Sequence, residues 1–447
     1  MAKPVAPLWD KAGIAVDERL HRFLAGEDLR LDRTLFPFDL WASVAHVRGL
    51  ARVGVLGADE AEGLVRELDA LGALFAEGKV DFDERFEDGH SVIEAHLVER
   101  LGETGKKVHT GRSRNDQVLV AMRLYVRDAL VRLADLCVEI AGALLDRADA
   151  DALTPMPGYT HLQRAVPSSI GLWLAGFAEA FLDDAALAWQ TDAWIDCCPL
   201  GTAAGYGVNL PLDREGVAKE LRFARVQQSP VYAQNSRGKL ELQVLSVVLQ
   251  PLLDLRRLAW DLSLYTTAEY GFVRLPAKYT TGSSIMPNKR NPDVVELLRA
   301  SPAVVEGAMV ELQSILSLPT GYQRDLQATK PPILRGIGQG LAALAILPDL
   351  VRALDFDRAR MRAAISPDMY ATDRAVELAA SGVPFRTAYR KVAEEPAELE
   401  GRTPEQSLAA RTSPGAPGNL GLDALRARLT GMREASRDRA DARARRT

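Results

Sequence analysis

Cysteine is nearly missing from this chain: of 447 residues only Cys137, Cys197 and Cys198 carry a thiol. Neighbouring cysteines rarely bridge each other and no CxxC pair exists, so neither a disulfide framework nor a structural zinc site is expected. A reducing cytoplasm fits that usage. Basic blocks are also lacking before the last dozen positions, and the net charge is −5, so nucleic acid is not an expected partner. Arg433, Arg437, Arg439, Arg443, Arg445 and Arg446 alternate with acids and alanines and read as a solvated or frayed end. The start, M-A-K-P-V-A-P-L-W-D-K, has no apolar core of a signal peptide. The most apolar window, Ile170 to Leu182, is about 13 residues long and contains Glu179, short of the ~20 a membrane span needs. No βαβ pattern and no glycine-rich phosphate loop is present. What remains has the balance of a soluble protein, with 47% hydrophobic and 26% charged residues.

Helical periodicity fills most of the chain. Up to about residue 105 the pattern predicts short helices broken by glycine, at Asp39–Val53, Ala58–Glu77 and Val92–Leu101. Between the last two lies E-D-G-H-S-V-I-E (Glu87–Glu94), where His90 reads as a hydrogen-bonded structural histidine. From Val118 the pattern lengthens. Val118, Met122, Tyr125, Ala129, Leu133, Leu136, Ile140 and Leu144 recur every three or four positions, which predicts one helix of roughly 30 residues, ~45 Å long. Ser168–Ile195, Lys239–Tyr270 (with a kink at Pro251), Asp293–Leu316 and Ile333–Leu354 repeat the pattern. The expected fold is all-α: an elongated central bundle of five long helices, residues 110–355, between smaller helical domains at 1–109 and 356–447. Broad apolar stripes on such helices also suit packing between subunits, so an oligomer is expected.

Polar stretches stand between the long helices. H-T-G-R-S-R-N-D-Q-V (His109–Val118) sets Ser113, Arg114, Asn115 and Asp116 before a helix, where an arginine fork and a helix N-terminus suit a carboxylate. The residues alone are equally those of a charged N-cap. P-G-Y-T-H-L-Q-R (Pro157–Arg164) carries Thr160, His161 and Gln163; a histidine there could move protons near neutral pH, or could be structural. T-T-G-S-S-I-M-P-N-K-R-N-P-D (Thr280–Asp293) joins a glycine entry, two hydroxyls, Lys289 and Asn291, the make-up of a mobile loop closing on an anion, or of a polar connection.

Together the three stretches resemble the fumarase/aspartase superfamily, whose members share a long helical bundle and a G-S-S-x-M-P-x-K-x-N loop. T-G-R-S-R-N-D-Q (Thr110–Gln117) and G-Y-T-H-L-Q (Gly158–Gln163) are similar to the argininosuccinate lyases within it. P-L-G-T-A-A-G-Y-G (Pro199–Gly207), the R-D-L-Q-x-x-K of Arg324–Lys330 and S-P-D-M-Y-A-T-D (Ser366–Asp373) agree. The resemblance implies cleavage of the C–N bond of an N-succinyl substrate by β-elimination, giving fumarate and an amine, here arginine. It implies Ser283 as the base, His161 in the proton relay to the leaving nitrogen, Glu296 orienting His161, and Lys289 favouring the serine alkoxide. Arg114, Asn115, Thr160, Lys289 and Asn291 would hold the succinyl carboxylates, with Ser113, Gln163, Arg237, Ser284 and Met286 also in substrate binding. Tyr322, Gln327 and Lys330 would hold the arginine end. No metal or organic cofactor is implied, and each site would combine loops from three subunits of a homotetramer.

Departures from the family pattern gather in the outer pocket. W-G-G-R-F becomes W-D-K-A-G (Trp9–Gly13), and Asp28 stands where a serine is usual. D-A-x-S-D-R-D becomes Y-A-Q-N-S-R-G (Tyr232–Gly238), a small-domain histidine is Tyr389, and a C-terminal G-G-T-A is missing. These changes leave two further readings open: a lyase for another N-substituted aspartate, or a crystallin-like structural protein without activity.

Overall fold

The computed structural model describes residues 19, 23, 26–83, 86–395 and 399–444. Trp9–Gly13 therefore lies outside the described residues, as do Arg445 and Arg446.

Four long helices follow the predicted stripes. They are α4 (Arg114–Ala150, 37 residues), α5 (Ile170–Ile195, 26 residues), α6 (Lys239–Tyr265, 27 residues) and α9 (Lys330–Ala353, 24 residues). Their buried faces meet in one cluster holding Leu130, Leu133, Ile140, Leu174, Phe181, Val244, Leu255, Ile337 and Leu344. Burial of such continuous apolar faces, rather than helix propensity, is what holds helices of this length. The fifth expected helix is two: α7 (Asp293–Ala300) and α8 (Pro302–Ile315). Pro302 breaks it, because a prolyl nitrogen donates no hydrogen bond and its ring crowds the preceding turn. α6 continues through Pro251, which is buried in the core.

The N-terminal unit holds α1 (Asp28–Arg52), α2 (Ala58–Ala76) and α3 (Gly89–Leu101) around Phe36, Leu50, Leu64, Leu68 and Leu97. α1 starts eleven residues before the predicted Asp39 and carries Pro37 inside it. Leu31, Leu35, Phe36 and Leu40 on both sides of the proline are buried, and that anchoring outweighs the lost hydrogen bond. Past the bundle lie α10 (Ala371–Ala380), α11 (Phe385–Glu394) and α12 (Leu422–Ala444). The last helix is laid on the bundle, while its Arg433, Arg437 and Arg439 are exposed, as expected of a solvated end. Leu429 and Met432 enter the core cluster, Arg426 pairs with Asp146 and Asp149, and Arg439 lies over the Trp189 ring.

Among the described residues, strands are confined to four two-stranded pairs. The longest is a hairpin, Pro155–Thr160 against Gln163–Ser169, which the sequence reading missed. Among the described residues, one helical run is long and apolar enough to cross a membrane by length and composition, Arg324–Ala353. In its most apolar stretch 61% is buried inside the bundle.

Candidate active site

At the start of α4, the Ser113 side chain accepts from the Asn115 amide at 3.3 Å, and Asp116 Oδ1 accepts from the Ser113 amide at 2.9 Å. This reciprocal cap satisfies two amides that the first helical turn would leave unpaired. Asp116 Oδ2 also accepts from Gly201 and Ala203 amides at 3.0 and 2.8 Å, which fastens the Pro199–Gly207 loop to the motif. Burial lifts the Asp116 carboxyl to about 6 despite these donors. Arg114 donates to Glu87 at 2.6 Å and to Ser91 Oγ at 3.2 Å, with Asp88 at 3.1 Å. Its charge is thus balanced by the chain's own E-D-G-H-S stretch. Burial alone would lower the Arg114 pKa, but Asp88 and Glu87 outweigh it. Asn115 is half-buried and its side chain makes no hydrogen bond to any described residue.

Behind this turn, His90 Nδ1 lies 2.5 Å from Asp39 Oδ2, so the structural reading of that histidine fits its surroundings. The buried His90 Nε2, Arg112 Nε and Gln117 Oε1 have no hydrogen-bond partner among the described residues, and their residues line one cavity of about 10 Å³. That is room for a single water, which needs two to four such partners. Asp32 joins the same region to α9: Oδ2 accepts from the Gly89 amide at 2.9 Å and Oδ1 from Lys330 Nζ at 2.5 Å. Glycine at 89 lets Asp32 come close: a Cβ there would stand 3.2 Å from Asp32 Cβ, and Asp32 would have to yield by a few tenths of an ångström. Lys330 also meets Asp28 at 3.0 Å. Nearby, the buried Arg237 lies over the Tyr322 ring at 6.0 Å. Gln327 occupies the helical turn leading into Lys330.

His161 and Leu162 form the two-residue tip of the hairpin, with φ of 56° and 57°. Both central residues of a type I′ turn need positive φ, which glycine or asparagine takes easily and these residues do not. Thr160 and Gln163 pair directly below the tip. Strain of this kind gathers at functional sites and is held by its surroundings; here Tyr159 packs edge-on against Tyr270 at 5.5 Å. His161 makes no hydrogen bond or ion pair with the described residues.

The serine loop is closed at its neck by Thr281–Gly282 pairing with Arg290–Asn291, and the Thr281 hydroxyl donates to Asp293. Ser283 Oγ accepts from the Met286 amide at 3.1 Å and, at longer range, from Ile285 at 3.4 Å. Ile285 is 83% exposed and Met286 43%. Ser284, Lys289 and Glu296, the last on α7, face solvent; Asn291 is half-buried.

These groups sit at opposite ends of one chain. Arg147 near the end of α4 donates to Leu354 after the end of α9, so the two helices run the same way. Ser113–Asp116, Lys330, Tyr322 and Arg237 therefore share one end. The hairpin follows α4 and touches Tyr270 beyond the end of α6. α7 approaches that same end, with Arg299 over Trp260 at 4.2 Å and bonded to Ser263 at 3.0 Å. A helix of 37 residues spans roughly 55 Å, so one subunit does not join its own Asn115 and Lys330 to its own His161 and Ser283. Asp32, missed in the sequence, had a signal: Asp28 and Asp32 stand four apart on one helical face. Among the described residues no group of three or more His, Cys, Asp or Glu is placed to hold a metal ion.

A lyase family model matches residues 17–307. Argininosuccinate lyase of Stenotrophomonas maltophilia (strain R551-3) is 58% identical over 422 residues, covering 94% of this chain and 98% of that protein. That of Xanthomonas oryzae pv. oryzae (strain PXO99A) is 57% identical over 427 residues, covering 95% and 99%. Among solved structures, EDDS lyase in complex with formate superposes with a TM-score of 0.80 at 24% identity, covering 97% of this chain and 94% of that one. Class II fumarase from Schistosoma mansoni gives 0.68 at 18%, covering 90% and 96%. At those identities the two structures speak for the fold alone. Near-full-length identity to the curated enzymes says more: the chain belongs to the argininosuccinate lyase family of the fumarase/aspartase superfamily.

Proposed function

We propose that this protein cleaves argininosuccinate to arginine and fumarate by β-elimination. The observation that carries the reading is 57–58% identity to argininosuccinate lyases over 94–95% of the chain. Ser283, as alkoxide, removes a proton from the succinyl carbon β to the nitrogen, and the electrons spread into the adjacent carboxylate. The C–N bond then breaks, its electrons leave with nitrogen, and the His161 relay supplies the nitrogen's proton. A hydroxyl already receiving the Met286 amide supports this role, because donors to Oγ favour the anionic form. Lys289 and Asn291 hold the dianion that develops, when the loop closes, with Asn115 and Thr160 from other subunits. Glu296 orients His161.

The separation of the two half-sites supports a homotetramer in which each pocket takes its loops from three chains. Half-exposed Leu242, Leu249 and Leu253 with exposed Trp260 give α6 an apolar outer face suited to subunit packing. In this reading 110–355 is the assembling bundle, while 1–109 and 356–447 wall the pockets. Three free, buried thiols suit a cytoplasmic location.

Fumarate absorbance decides the matter, with argininosuccinate tested beside other N-substituted aspartates. Release from argininosuccinate at the highest kcat/KM is expected. Release only from another adduct would correct the substrate, and release from none would return the chain to a structural role.

A further inference from the structure

The outer half of the hairpin carries His161 with little to hold it. Pro155, Met156, Pro157 and Pro167 bury the base, but Thr160 through Arg164 are exposed. His161 and Leu162 both stand at positive φ, 56° and 57°, a conformation that side chains with a Cβ resist. Between base and tip the ladder slips by one: Pro157 pairs with Pro167 but Tyr159 with Arg164, so Ala165 and Val166 face Gly158 alone. A bulge of this kind twists the strands and re-aims what lies beyond it. Gly158 suits it, because a Cβ there would stand 2.8 Å from the Val166 carbonyl oxygen. Beyond the bulge the ladder keeps Tyr159 with Arg164 and Thr160 with Gln163, a short lever against rotation of the tip.

Tyr159 is where this outer half meets something rigid. Its ring packs on Tyr270 at 5.5 Å and 66°, and Tyr270 packs on Phe272 at 5.4 Å and 82°. Tyr265, the last residue of α6, meets Tyr270 at 6.0 Å and Trp173 of α5 at 5.4 Å. The Trp173 indole N–H donates to Asp261 at 2.8 Å, which ties the rings to both helices. The backbone around Tyr270 is fixed as well. The Phe272 amide donates to the Tyr265 carbonyl at 2.9 Å and Gly271 to Thr267 at 2.7 Å, while Arg360 Nη2 donates to the Ala268 and Glu269 carbonyls at 2.7 and 2.9 Å. Beside the Tyr159–Tyr270 contact lies an open groove of about 530 Å³ that Leu162 and Arg164 also line. The tip has room to fall back there once the Tyr270 ring is gone.

We propose that Tyr270 is a positioning residue for the hairpin tip, His161 above all: its ring sets the angle at which Tyr159 and the imidazole leave the bundle. Edge-on packing defines such an angle, and displacing a reacting group by an ångström costs on the order of 10²-fold. This rests on the reading that His161 serves the proton relay, and it adds a residue that never meets the substrate.

The test follows fumarate release from argininosuccinate by purified full-length wild type, Tyr270→Leu, Tyr270→Phe, His161→Asn and the double variant Tyr270→Leu with His161→Asn. Tyr270→Leu is expected to lower kcat at least ~10-fold and to raise KM no more than about threefold, since Thr160 is one of several groups that hold the carboxylates. Tyr270→Phe keeps the ring and is expected to stay within about threefold of wild type. In the His161→Asn background the leucine substitution is expected to cost no more than about threefold, because residues that act as a unit are not additive. Near-normal turnover in Tyr270→Leu, an equal loss in Tyr270→Phe, or the full loss repeated without His161 would overturn the inference. Should Tyr270→Leu not fold, Tyr159→Leu breaks the same contact from the hairpin's side and is held to the same outcomes. An active wild type with an equally active His161→Asn would end the relay role and this inference with it, leaving the reaction standing. A wild type that releases fumarate from no N-substituted aspartate would bring down the reaction itself.

Discussion

The two ends of the bundle are built on opposite plans. At the end holding Asn115 and Lys330, charges are buried or half-buried and paired: Arg114 with Glu87 and Asp88, Lys330 with Asp28 and Asp32, His90 with Asp39. At the other end, Ser283, Lys289, Glu296 and His161 stand on a surface loop, a short helix and a hairpin tip with few partners of their own. The first end is ready-made to bind, at a cost in desolvation already met by folding. The second leaves its reacting groups uncommitted until another subunit and a substrate surround them. Stability and chemistry should therefore separate along the length of the molecule.

The largest expected effect tests the paired end. Lys330→Met leaves Asp28 and Asp32 without their cation, and removing one member of a buried ion pair costs about 3–5 kcal/mol. Denaturant unfolding should show that loss at neutral pH, and the deficit should shrink as acid protonates the two carboxyls. A variant as stable as wild type would mean that this end is not held by its charges. The exposed end predicts the converse. Ser283→Ala should lower kcat by at least ~100-fold, the lower scale of general acid–base contributions, with an unchanged unfolding midpoint. Near-normal turnover would remove Ser283 from its assigned role, and a large loss of stability would erase the contrast.

How far this contrast was legible in the sequence depends on the range of the forces involved. Stripes of period 3.6 foretold α4, α5, α6 and α9, because each helix buries a face that local spacing encodes. The reacting groups of the serine loop were legible as a string, since glycine, serines, Lys289 and Asn291 fall within a dozen positions. The hairpin was not. Pro157, Gly158 and Pro167 argue against strands, and its positive-φ tip carries histidine and leucine where glycine or asparagine would have announced it. Nor could the Lys330 pairing be read, because its partners lie some three hundred positions away. The departure at Asp28 looked like a loss of family character; in the fold it is half of an ion pair.

A smaller effect sharpens the difference within the exposed end. Lys289 lies in the open loop, so Lys289→Met should leave the unfolding midpoint alone and weaken fumarate binding roughly tenfold, the low side of a charge-assisted hydrogen bond. Equilibrium titration of the purified protein measures this. Unchanged affinity would count against a carboxylate role for Lys289, and with it the idea that exposed groups here are waiting for a ligand.

Between the two ends, the waist of the bundle gives the smallest and most graded effect. Asp184 of α5 is buried beside Asp254 of α6, with Asp183 close by. Burial, then Asp254 and Asp183, lift its carboxyl to about 8, so near neutral pH the pair shares a proton instead of carrying two charges. A folded-state pKa above the unfolded one means that folding favours the protonated form. The stabilisation is complete below the ordinary carboxylate range of about 4 and is lost as pH climbs towards 8. Each unit of that shift realised in solution is about 1.4 kcal/mol, so unfolding free energy should fall by at least this much between pH 5 and pH 8. Asp184→Asn keeps the shape and a hydrogen-bonding group without the titration. It should flatten the slope and be the more stable protein at pH 8, while the slope of Lys330→Met moves the opposite way, gaining on wild type only in acid. Parallel slopes in wild type and Asp184→Asn would mean that water or a neighbouring subunit already stabilises the charged pair, and the waist would then belong with the exposed end.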